Sequence, residues 1–245
     1  MNILIVNDDG YNSKGLKILA EALKHHGNIY IAAPREHKSG FSHAITFRKK
    51  IKIEYETNIP LAKEILVVDG TPADATRLGL KFFDVEFDCV VSGINEGPNI
   101  SKDIHYSGTV AAAKEAKILG VPAIAISAHN INSEYIFDET VKIFDEIFQG
   151  KTYLGPGILN INFPSKEFSK PKGIKYTKMG KRLWHASFLK TEKENEFYIQ
   201  SAVLAFEEED NTDAKAFEEG YTSITPLIMN QTDIEWFRKL TKKIW

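Results

Sequence analysis

Two adjacent carboxylates stand at the end of an apolar run, in the segment NDDG near the start of the chain. Asp8 and Asp9 follow Ile3 to Val6, which has the pattern of a buried strand, and Gly10 comes directly after them. Such a pair could bind a metal ion, act as an acid and a base, or cap a following helix. Capping explains one aspartate, whereas a divalent cation explains both, because it takes carboxylate oxygens as ligands and cancels their repulsion.

Two further segments supply neutral oxygen atoms. In PREHKSGFSHAIT, Ser39 and Gly40 provide a hydroxyl group and a flexible backbone beside Lys38, although an ordinary surface turn would have the same composition. In VVSGINEGPN, we predict that Asn95 lies in a tight loop after a central strand. Serine and asparagine oxygens suit an ion of the Mg²⁺ or Mn²⁺ type as carboxylates do.

The segment HYSGTVAAAKEA predicts a helix whose start binds an anion. Ser107, Gly108 and Thr109 open this alanine-rich helix, and its free N–H groups and positive dipole end would hold a phosphate group. The alternative is a plain N-cap at Ser107 or Thr109. Combined with a carboxylate pair and neutral oxygen atoms at the same edge of a sheet, this helix start indicates a metal-assisted phosphoryl site.

The elements that must position these segments alternate between apolar runs and helical patterns over residues 1–165. This order predicts an α/β fold with a doubly wound, mostly parallel sheet, in which ligands bind beyond the carboxyl ends of the strands. Continuous apolar runs are typical of strands covered on both faces. The segment IKIEY alternates instead and predicts a hairpin edge, and PADATRLGLKFF predicts a helix that begins at Pro72.

Residues 166–245 have a different pattern, which predicts a β-rich C-terminal extension. GIKYTKMG and EFYIQSAVLAFE have the pattern of antiparallel strands, TDAKAFEEG of a short helix, and YTSITPL of a further strand. FEEEDN is interpreted as a solvated loop rather than a metal site. The last residues predict a basic, amphipathic tail, which could clasp a partner subunit or pack on its own domain.

Composition excludes several classes of protein. The 245 residues carry a net charge of −2, which gives no bulk attraction to a nucleic-acid polymer or a membrane surface. The single cysteine, Cys89, has no partner for an internal disulfide, which suits a reducing cytosol, and we predict that it is a small buried hydrophobe. No basic segment leads into an apolar one at the start, and no run approaches the length of a membrane span, so we expect a cytoplasmic protein.

These motifs resemble those of the SurE family of survival proteins, which are divalent-metal-dependent 5′-nucleotidases. The resemblance rests on NDDG, AP-R…SG-S (Ala33 to Ser42), GTPAD, VVSGIN-G-N, YSGTV, NINFP and GY-SITPL, and it runs from the first residue to near the end. A DD pair after a strand is generic, but SGIN-G-N followed by YSGTV at this distance is highly specific. The resemblance implies one Rossmann-like domain over residues 1–245, with the C-terminal extension exchanged between subunits of a homodimer or homotetramer.

The resemblance also implies a ligand set and a substrate. One divalent ion per subunit, Mg²⁺ or Mn²⁺, would be bound by Asp8, Asp9, Ser39 and Asn95. The implied substrates are nucleoside 5′-monophosphates, and some members of the family also act on 3′-nucleotides or short polyphosphate. The phosphate group would lie among Ser39, Gly40, His43, Asn95, Ser107, Gly108 and Thr109.

The expected reaction is hydrolysis of a phosphomonoester by a metal-bound water. Asp8 could orient this water or accept its proton, and the alternative is direct attack by Asp8 to form an aspartyl-phosphate. Asn95 could bridge the metal and the phosphate. His43 is either the general acid for the leaving alcohol or a loop residue that only touches the substrate. His25 and His26 are interpreted as surface residues at the end of a helix.

Two other functional classes are compatible with the same fold. A regulatory protein would bind a nucleotide and a metal without turnover, and an interaction module would use the charged C-terminal region. The chain also departs from the usual family residues: Ser101 stands where glycine is usual, His43 where asparagine is common, and AAA and EA where GAA and EG are common. None of these positions is a predicted metal ligand, so we expect the departures to affect the shape of the substrate loop more than the reaction.

Overall fold

A computed structural model of the chain describes residues 1–56, 60–150, 152, 154–204 and 207–242. The strands are β1 (Asn2–Val6), β2 (Asn28–Pro34), β3 (Ile53–Glu56), β4 (Glu64–Val68), β5 (Cys89–Glu96), β6 (Ala123–Ala128), β7 (Ile158–Asn162), β8 (Ile174–Tyr176), β9 (Leu183–Lys190), β10 (Phe197–Leu204) and β11 (Thr222–Leu227). The helices are α1 (Lys14–Leu23), α2 (Pro72–Phe82), α3 (Gly108–Ile118), α4 (Ile136–Phe148), α5 (Asp213–Glu219) and α6 (Ile234–Thr241). Short 3₁₀ turns follow α1 at Lys24–His26 and precede α3 at Ser101–His105.

One large sheet carries the fold. Within the described residues it has nine strands in the order β3-β4-β2-β1-β5-β6-β7-β11-β8. The six strands from β4 to β7 are parallel, whereas β3 at the edge and β11 are antiparallel to their neighbours β4 and β7. The prediction of a mostly parallel α/β sheet is therefore confirmed, and so is the hairpin edge at IKIEY.

Both faces of the sheet are covered, and its first strand, β1, is a continuous apolar run from Ile3 to Val6. In β1, Ile3 and Ile5 face the core beneath α1 and α4, while Leu4 and Val6 face the core beneath α2 and α3. All four side chains are fully buried. A strand that is buried on both sides cannot alternate between apolar and polar residues, which explains the continuous apolar runs in the sequence.

The C-terminal region extends the large sheet and adds a separate hairpin. β8 pairs in parallel with β11, so the prediction that GIKYTKMG forms an antiparallel strand is wrong. The segment EFYIQSAVLAFE forms β10, whose antiparallel partner is β9, a strand that the sequence analysis missed. The two strands are separated only by residues 191–196, and this short connection favours a local hairpin. Ala205 and Phe206, at the end of the predicted strand, lie outside the described residues.

The remaining C-terminal predictions are confirmed for the short helix α5, the strand β11 and the amphipathic tail helix α6. Large apolar side chains on the hairpin and on α6 face solvent in the single chain, among them Phe188, Tyr198, Trp236 and Phe237. None of the helices among the described residues combines the length and the hydropathy that a membrane span requires.

Candidate active site

Asp8 lies at the carboxyl end of β1, beneath the start of α3. Its side chain is buried, and its Oδ1 accepts a hydrogen bond from the hydroxyl group of Thr109. A Cβ atom on Gly108 would lie 2.9 Å from the Cβ of Asp8, which is closer than two such atoms can approach. Glycine at position 108 therefore lets the predicted anion-binding helix start come directly against the carboxylate pair.

Asp9 faces the neighbouring strand and loop instead. Its Oδ2 accepts a hydrogen bond of 3.4 Å from the backbone N–H of Glu96, and its Oδ1 lies 3.2 Å from Nε2 of His37. The turn after the pair is held by Asn7, whose Nδ2 donates to the carbonyl oxygen of Gly10 at 2.9 Å. Gly10 has a φ of +98°, a conformation that favours glycine and turns the chain away from the site.

The loop after β2 brings Ser39 to the carboxylate pair. The backbone N–H of Lys38 donates to the carbonyl oxygen of Asp8 at 2.7 Å and so ties this loop to the end of β1. The hydroxyl group of Ser39 lies 2.8 Å from Nε2 of His37, the same ring nitrogen that approaches Asp9. The structure thus places the predicted hydroxyl ligand beside both aspartates.

Asn95 lies within β5 and not in a loop after it, so that part of the prediction is wrong. β5 continues to Glu96, with a shift in its register against β6 between Ser92 and Asn95. An irregularity of this kind re-aims side chains without ending the strand. The Nδ2 of Asn95 donates to the carbonyl oxygen of Gly97 at 2.7 Å. Among the described residues no group donates to its Oδ1, which leaves that oxygen for a ligand.

A cavity of about 170 Å³ connects these segments. It is lined by Asp8, Ser39, Gly40, Asn95, Pro98, Asn99, Asp103, Tyr106 and Ser107. Pockets for drug-sized ligands measure about 300–1,000 Å³. The cavity therefore suits the charged head of a substrate and an ion, while a larger substrate would extend beyond it.

Burial makes the charged forms of both aspartates costly. Burial raises the pKa of Asp8 from 3.8 to about 6; the neighbouring charge of Asp9 adds to this effect, and the hydrogen bond from Thr109 opposes it. Burial also raises the pKa of Asp9, and the charge of Glu96 contributes in the same direction. Two carboxylates, a hydroxyl oxygen and an amide oxygen form an all-oxygen donor set, which fits a hard divalent cation.

Two of the predicted phosphate-binding residues make other contacts. Thr109 is fully buried and directs its hydroxyl group at Asp8, so its side chain positions the carboxylate. The Nε2 of His43 lies 2.7 Å from Oε2 of Glu115, a buried residue of α3 that also binds the guanidinium group of Arg77. Among the residues that the structure describes, His43 is not part of the cavity lining.

Sequence reasoning missed His37 and Asn99. His37 lies two residues before Ser39 in the same loop. A titratable side chain so close in sequence to a predicted ligand could have marked it as a residue of the site. Asn99 is held by the NINFP segment: its backbone N–H donates to Oδ1 of Asn162 at 2.7 Å, and Nδ2 of Asn160 donates to its carbonyl oxygen at 2.8 Å. The alternating asparagines of NINFP therefore support the floor of the cavity.

Ser101 shows how the chain accommodates one of its departures. Its φ is +53°, in the left-handed region that favours glycine, the residue that the family resemblance leads us to expect here. The serine is fully buried, and its N–H and hydroxyl groups both donate to the carboxylate of Asp213, at 2.8 and 3.0 Å. The hydroxyl contact offsets the strain and ties the turn before α3 to α5.

Comparisons with known proteins show what the chain as a whole is similar to. The family model described as Survival protein SurE matches residues 3–186. A protein named 5′-nucleotidase SurE from Aquifex aeolicus is 37% identical, with 97% of this chain and 96% of that protein covered. Another of the same name from Campylobacter jejuni is 40% identical, with 98% of this chain and 96% of that protein covered.

A solved structure extends the likeness to the whole fold. The crystal structure of the SurE protein from Aquifex aeolicus superposes with a TM-score of 0.82 at 35% identity, and the match covers 100% of both chains. The matched residues include the carboxylate pair, the loop of Ser39, the strand of Asn95 and the start of α3. Motifs, fold and relatives therefore lead to one conclusion: the chain belongs to the SurE family.

Proposed function

We propose that the protein is a divalent-metal-dependent phosphomonoesterase that hydrolyses nucleoside 5′-monophosphates to nucleoside and phosphate. Relatives whose alignments cover 97% and 99% of this chain are named 5′-nucleotidase SurE, and these names support the substrate class. The observation that carries the proposal is the cavity in which Asp8, Asn95 and Ser107 meet. It combines carboxylate and amide oxygens, which can hold a metal ion, with the start of a helix, which can hold a phosphate group, and metal-assisted phosphoryl transfer uses both.

Asp8, Asp9, Ser39 and Asn95 would hold one Mg²⁺ or Mn²⁺ ion. When bound, such an ion neutralises phosphate charge and lowers the pKa of a water molecule in its coordination shell. The fit rests on the all-oxygen donor set and on the burial that raises the pKa of both aspartates, since a bound cation would offset the cost of their buried charge.

The start of α3 would bind the transferring phosphoryl group. In the described part of the chain, the backbone N–H groups of Gly108 and Thr109 donate to no protein acceptor, so both can donate to phosphate oxygens. The side chain of Ser107 caps the helix by accepting from the backbone N–H of Val110 at 3.1 Å, and its own hydroxyl proton can still be donated. Fixed donors of this kind stabilise the charge of the transition state.

Asp8 would act on the attacking water. Held by Thr109, its carboxylate can orient a water molecule toward phosphorus and accept the water's proton as the new P–O bond forms. The bond to the 5′ oxygen breaks in the same step, and this oxygen takes up a proton from solvent to leave as the hydroxyl group of the nucleoside. Direct attack by Asp8 is the alternative, and it would leave an aspartyl-phosphate that rapid quenching can trap. The contact between His43 and Glu115 favours the interpretation of His43 as a loop residue.

The partner of the C-terminal extension would be a second copy of the chain. Exposed Phe188, Tyr198, Trp236 and Phe237 give the hairpin and α6 the apolar surface that subunit interfaces bury. This supports the homodimer or homotetramer that the sequence resemblance implies. The net charge of −2 gives no support for a nucleic-acid polymer as a partner. A cytoplasmic location stays a prediction from the sequence.

The decisive experiment measures phosphate release from a panel of nucleoside monophosphates with Mg²⁺, with Mn²⁺ or with EDTA. We expect metal-dependent release that is lost in Asp8→Asn and Asp9→Asn and retained in Asp84→Asn, an exposed aspartate that serves as the control. If no divalent metal supports release from any nucleotide although the nucleotides bind, the protein is a regulatory binder and the proposal is wrong.

A further inference from the structure

Two histidines and an aspartate converge at the edge of the sheet opposite the cavity that contains Asp8. His25 and His26 form the 3₁₀ turn that ends α1, and Asp145 lies on the packed helix α4. The Nε2 atoms of both histidines lie 3.0 Å from the same oxygen, Oδ1 of Asp145. Among the described residues, this is the one group of three His, Cys, Asp or Glu side chains whose ligand atoms all lie within 4.8 Å of one another.

The packing around the cluster fixes the histidine rings. The ring of His26 contacts Phe148 edge to face at a centroid distance of 4.9 Å, and it lies 4.0 Å from the ring of His25. The side chain of His26 is only 13% exposed, and burial of this kind favours the neutral imidazole, which is the form that binds metals. His25 and Asp145 are 47% and 40% exposed, so an ion and a water molecule can reach the cluster from solvent.

One contact in the cluster lacks a suitable hydrogen-bond geometry. His25 makes an aligned hydrogen bond with Asp145, but Nε2 of His26 is buried and, among the described residues, has no aligned hydrogen-bond partner despite its 3.0 Å approach to the same oxygen. A buried ring nitrogen without an aligned partner is uncommon and calls for an explanation. A cation between the three atoms would satisfy all of them at once.

The distances are close to those of a metal site. In a tetrahedral zinc site with bonds of about 2.0–2.2 Å, neighbouring ligand atoms lie about 3.3–3.5 Å apart. The two 3.0 Å contacts would need to open by a few tenths of an ångström, which exposed His25 and Asp145 can accommodate. Each imidazole would bind through Nε2 and carry its proton on Nδ1, and water would complete the coordination.

We propose that His25, His26 and Asp145 form a second metal site, specific for a transition ion of the zinc class. Imidazole nitrogens favour Zn²⁺, Co²⁺ or Ni²⁺, whereas the all-oxygen set around Asp8 favours Mg²⁺ or Mn²⁺. The histidine turn lies at the amino ends of the strands, beside Met1, whose amino group approaches the carbonyl oxygen of His26 at 3.4 Å. The length of β1, roughly 16 Å, therefore separates the two sites. The ion would act structurally by linking the end of α1 to α4.

The test uses the full chain with Asp8→Asn and Asp9→Asn, which removes the oxygen site. We expect this double variant to bind one Zn²⁺ by isothermal titration calorimetry and to give the visible absorption of protein-bound Co²⁺. Adding His25→Ala, His26→Gln or Asp145→Asn should weaken Zn²⁺ binding by at least about tenfold, since even an outer-shell partner contributes that much. Lys24→Ala, on the same turn, is the matched control and should bind Zn²⁺ normally.

The variants separate a metal site from an ordinary ion pair. His25→Ala and Asp145→Asn change exposed side chains, so circular dichroism should show an unchanged fold even if His26→Gln is destabilised. In the parent chain, His25→Ala should leave the Mg²⁺-supported phosphatase rate unchanged. Absence of Zn²⁺ binding to the double variant, or Zn²⁺ binding that neither His25→Ala nor Asp145→Asn weakens, would overturn the proposal. Both results are independent of whether the protein hydrolyses nucleotides.

Discussion

The hydroxyl group of Thr109 donates a hydrogen bond to Oδ1 of Asp8 and so connects the first turn of α3 to the end of β1. The bond stabilises the charged form of Asp8 and opposes the effect of burial on the pKa of this carboxyl group. One side chain therefore keeps a proposed metal ligand in place and favours its ionised state, without itself lining the cavity.

We expect Thr109→Val to weaken Mg²⁺ binding and to lower kcat/KM by about ten- to hundredfold. A hydrogen bond to a charged group contributes about 1.5–3 kcal/mol, and valine preserves the shape of threonine while removing the donor. Metal affinity and phosphate release should both recover in Thr109→Ser. Thr140→Val, which removes a buried hydroxyl group from α4, is the control. Equal activity in Thr109→Val and the parent would show that the bond is dispensable.

We expect Asp8→Asn to abolish activity but to stabilise the metal-free protein. Burial raises the pKa of Asp8 from 3.8 to about 6, so holding it ionised at pH 7 costs up to about 3 kcal/mol. Asparagine has nearly the same shape and no charge. Urea unfolding in EDTA should give a higher free energy of unfolding for Asp8→Asn than for the parent, and no change for exposed Asp84→Asn. A lower value for Asp8→Asn would contradict the raised pKa.

Two substitutions of Ser101 measure separately the effect of its backbone strain and the effect of its side-chain hydrogen bond on stability. Ser101→Ala keeps the left-handed conformation and loses the hydrogen bond from the hydroxyl group to Asp213. We therefore expect the free energy of unfolding to fall by about 2 kcal/mol. Ser101→Gly loses the same bond but relieves strain of roughly 1–2 kcal/mol, and it should be nearly neutral. Chemical denaturation of the two variants measures the difference, and equal stability would show that position 101 is unstrained.

Cys89 should resist alkylation in the folded protein. It is fully buried in β5, and burial raises the pKa of its thiol to about 12, so almost no thiolate exists at neutral pH. Mass spectrometry after iodoacetamide treatment should show an unmodified thiol in buffer and complete modification in guanidinium chloride. Lys142→Cys, which places a thiol on the exposed face of α4, should react at once as a positive control. Fast labelling of native Cys89 would disprove its burial.

The tail helix should contribute to assembly. Trp236 and Phe237 are 64% and 54% exposed in the single chain, and replacing both with serine should remove apolar area from a subunit interface. We expect analytical ultracentrifugation to show a shift toward monomer at low concentration. Glu235→Ser, on the same helix, should leave the distribution unchanged. An unaltered oligomer in the double variant would exclude α6 from the interface.

The sequence predicted those features that depend on local patterns. Continuous apolar runs separated by helical patterns fix a parallel sheet, and the carboxyl ends of neighbouring strands then meet at one edge. For this reason the sequence alone predicts that Asp8, Ser39 and Ser107 lie close together. The GTPAD helix start and the Ser107 cap were also readable, because capping depends on residues that are adjacent in sequence.

The errors come from tertiary contacts and from strand irregularities. Nothing local signals the register shift that keeps Asn95 inside β5, or the parallel pairing of β8 with β11. The prediction that His25 and His26 are surface residues holds for His25, which is 47% exposed, but His26 is only 13% exposed, because Asp145 and Phe148 of α4 lie against it. His43 likewise finds Glu115 only after the loop has folded over α3. Such contacts join residues that are 72 to 120 positions apart.

The small volume of the nucleotidase cavity affects which substrates the protein can tell apart. All nucleoside monophosphates share the phosphoryl head, and about 170 Å³ holds little more than this common part. The sugar and the base, in which these substrates differ, would remain at the mouth of the cavity, beside the exposed side chain of Tyr106. The cavity would therefore bind the phosphoryl group that all these substrates share. Residues at the rim of the cavity would contact the base, so a substitution there can alter base preference without changing the proposed metal ligands.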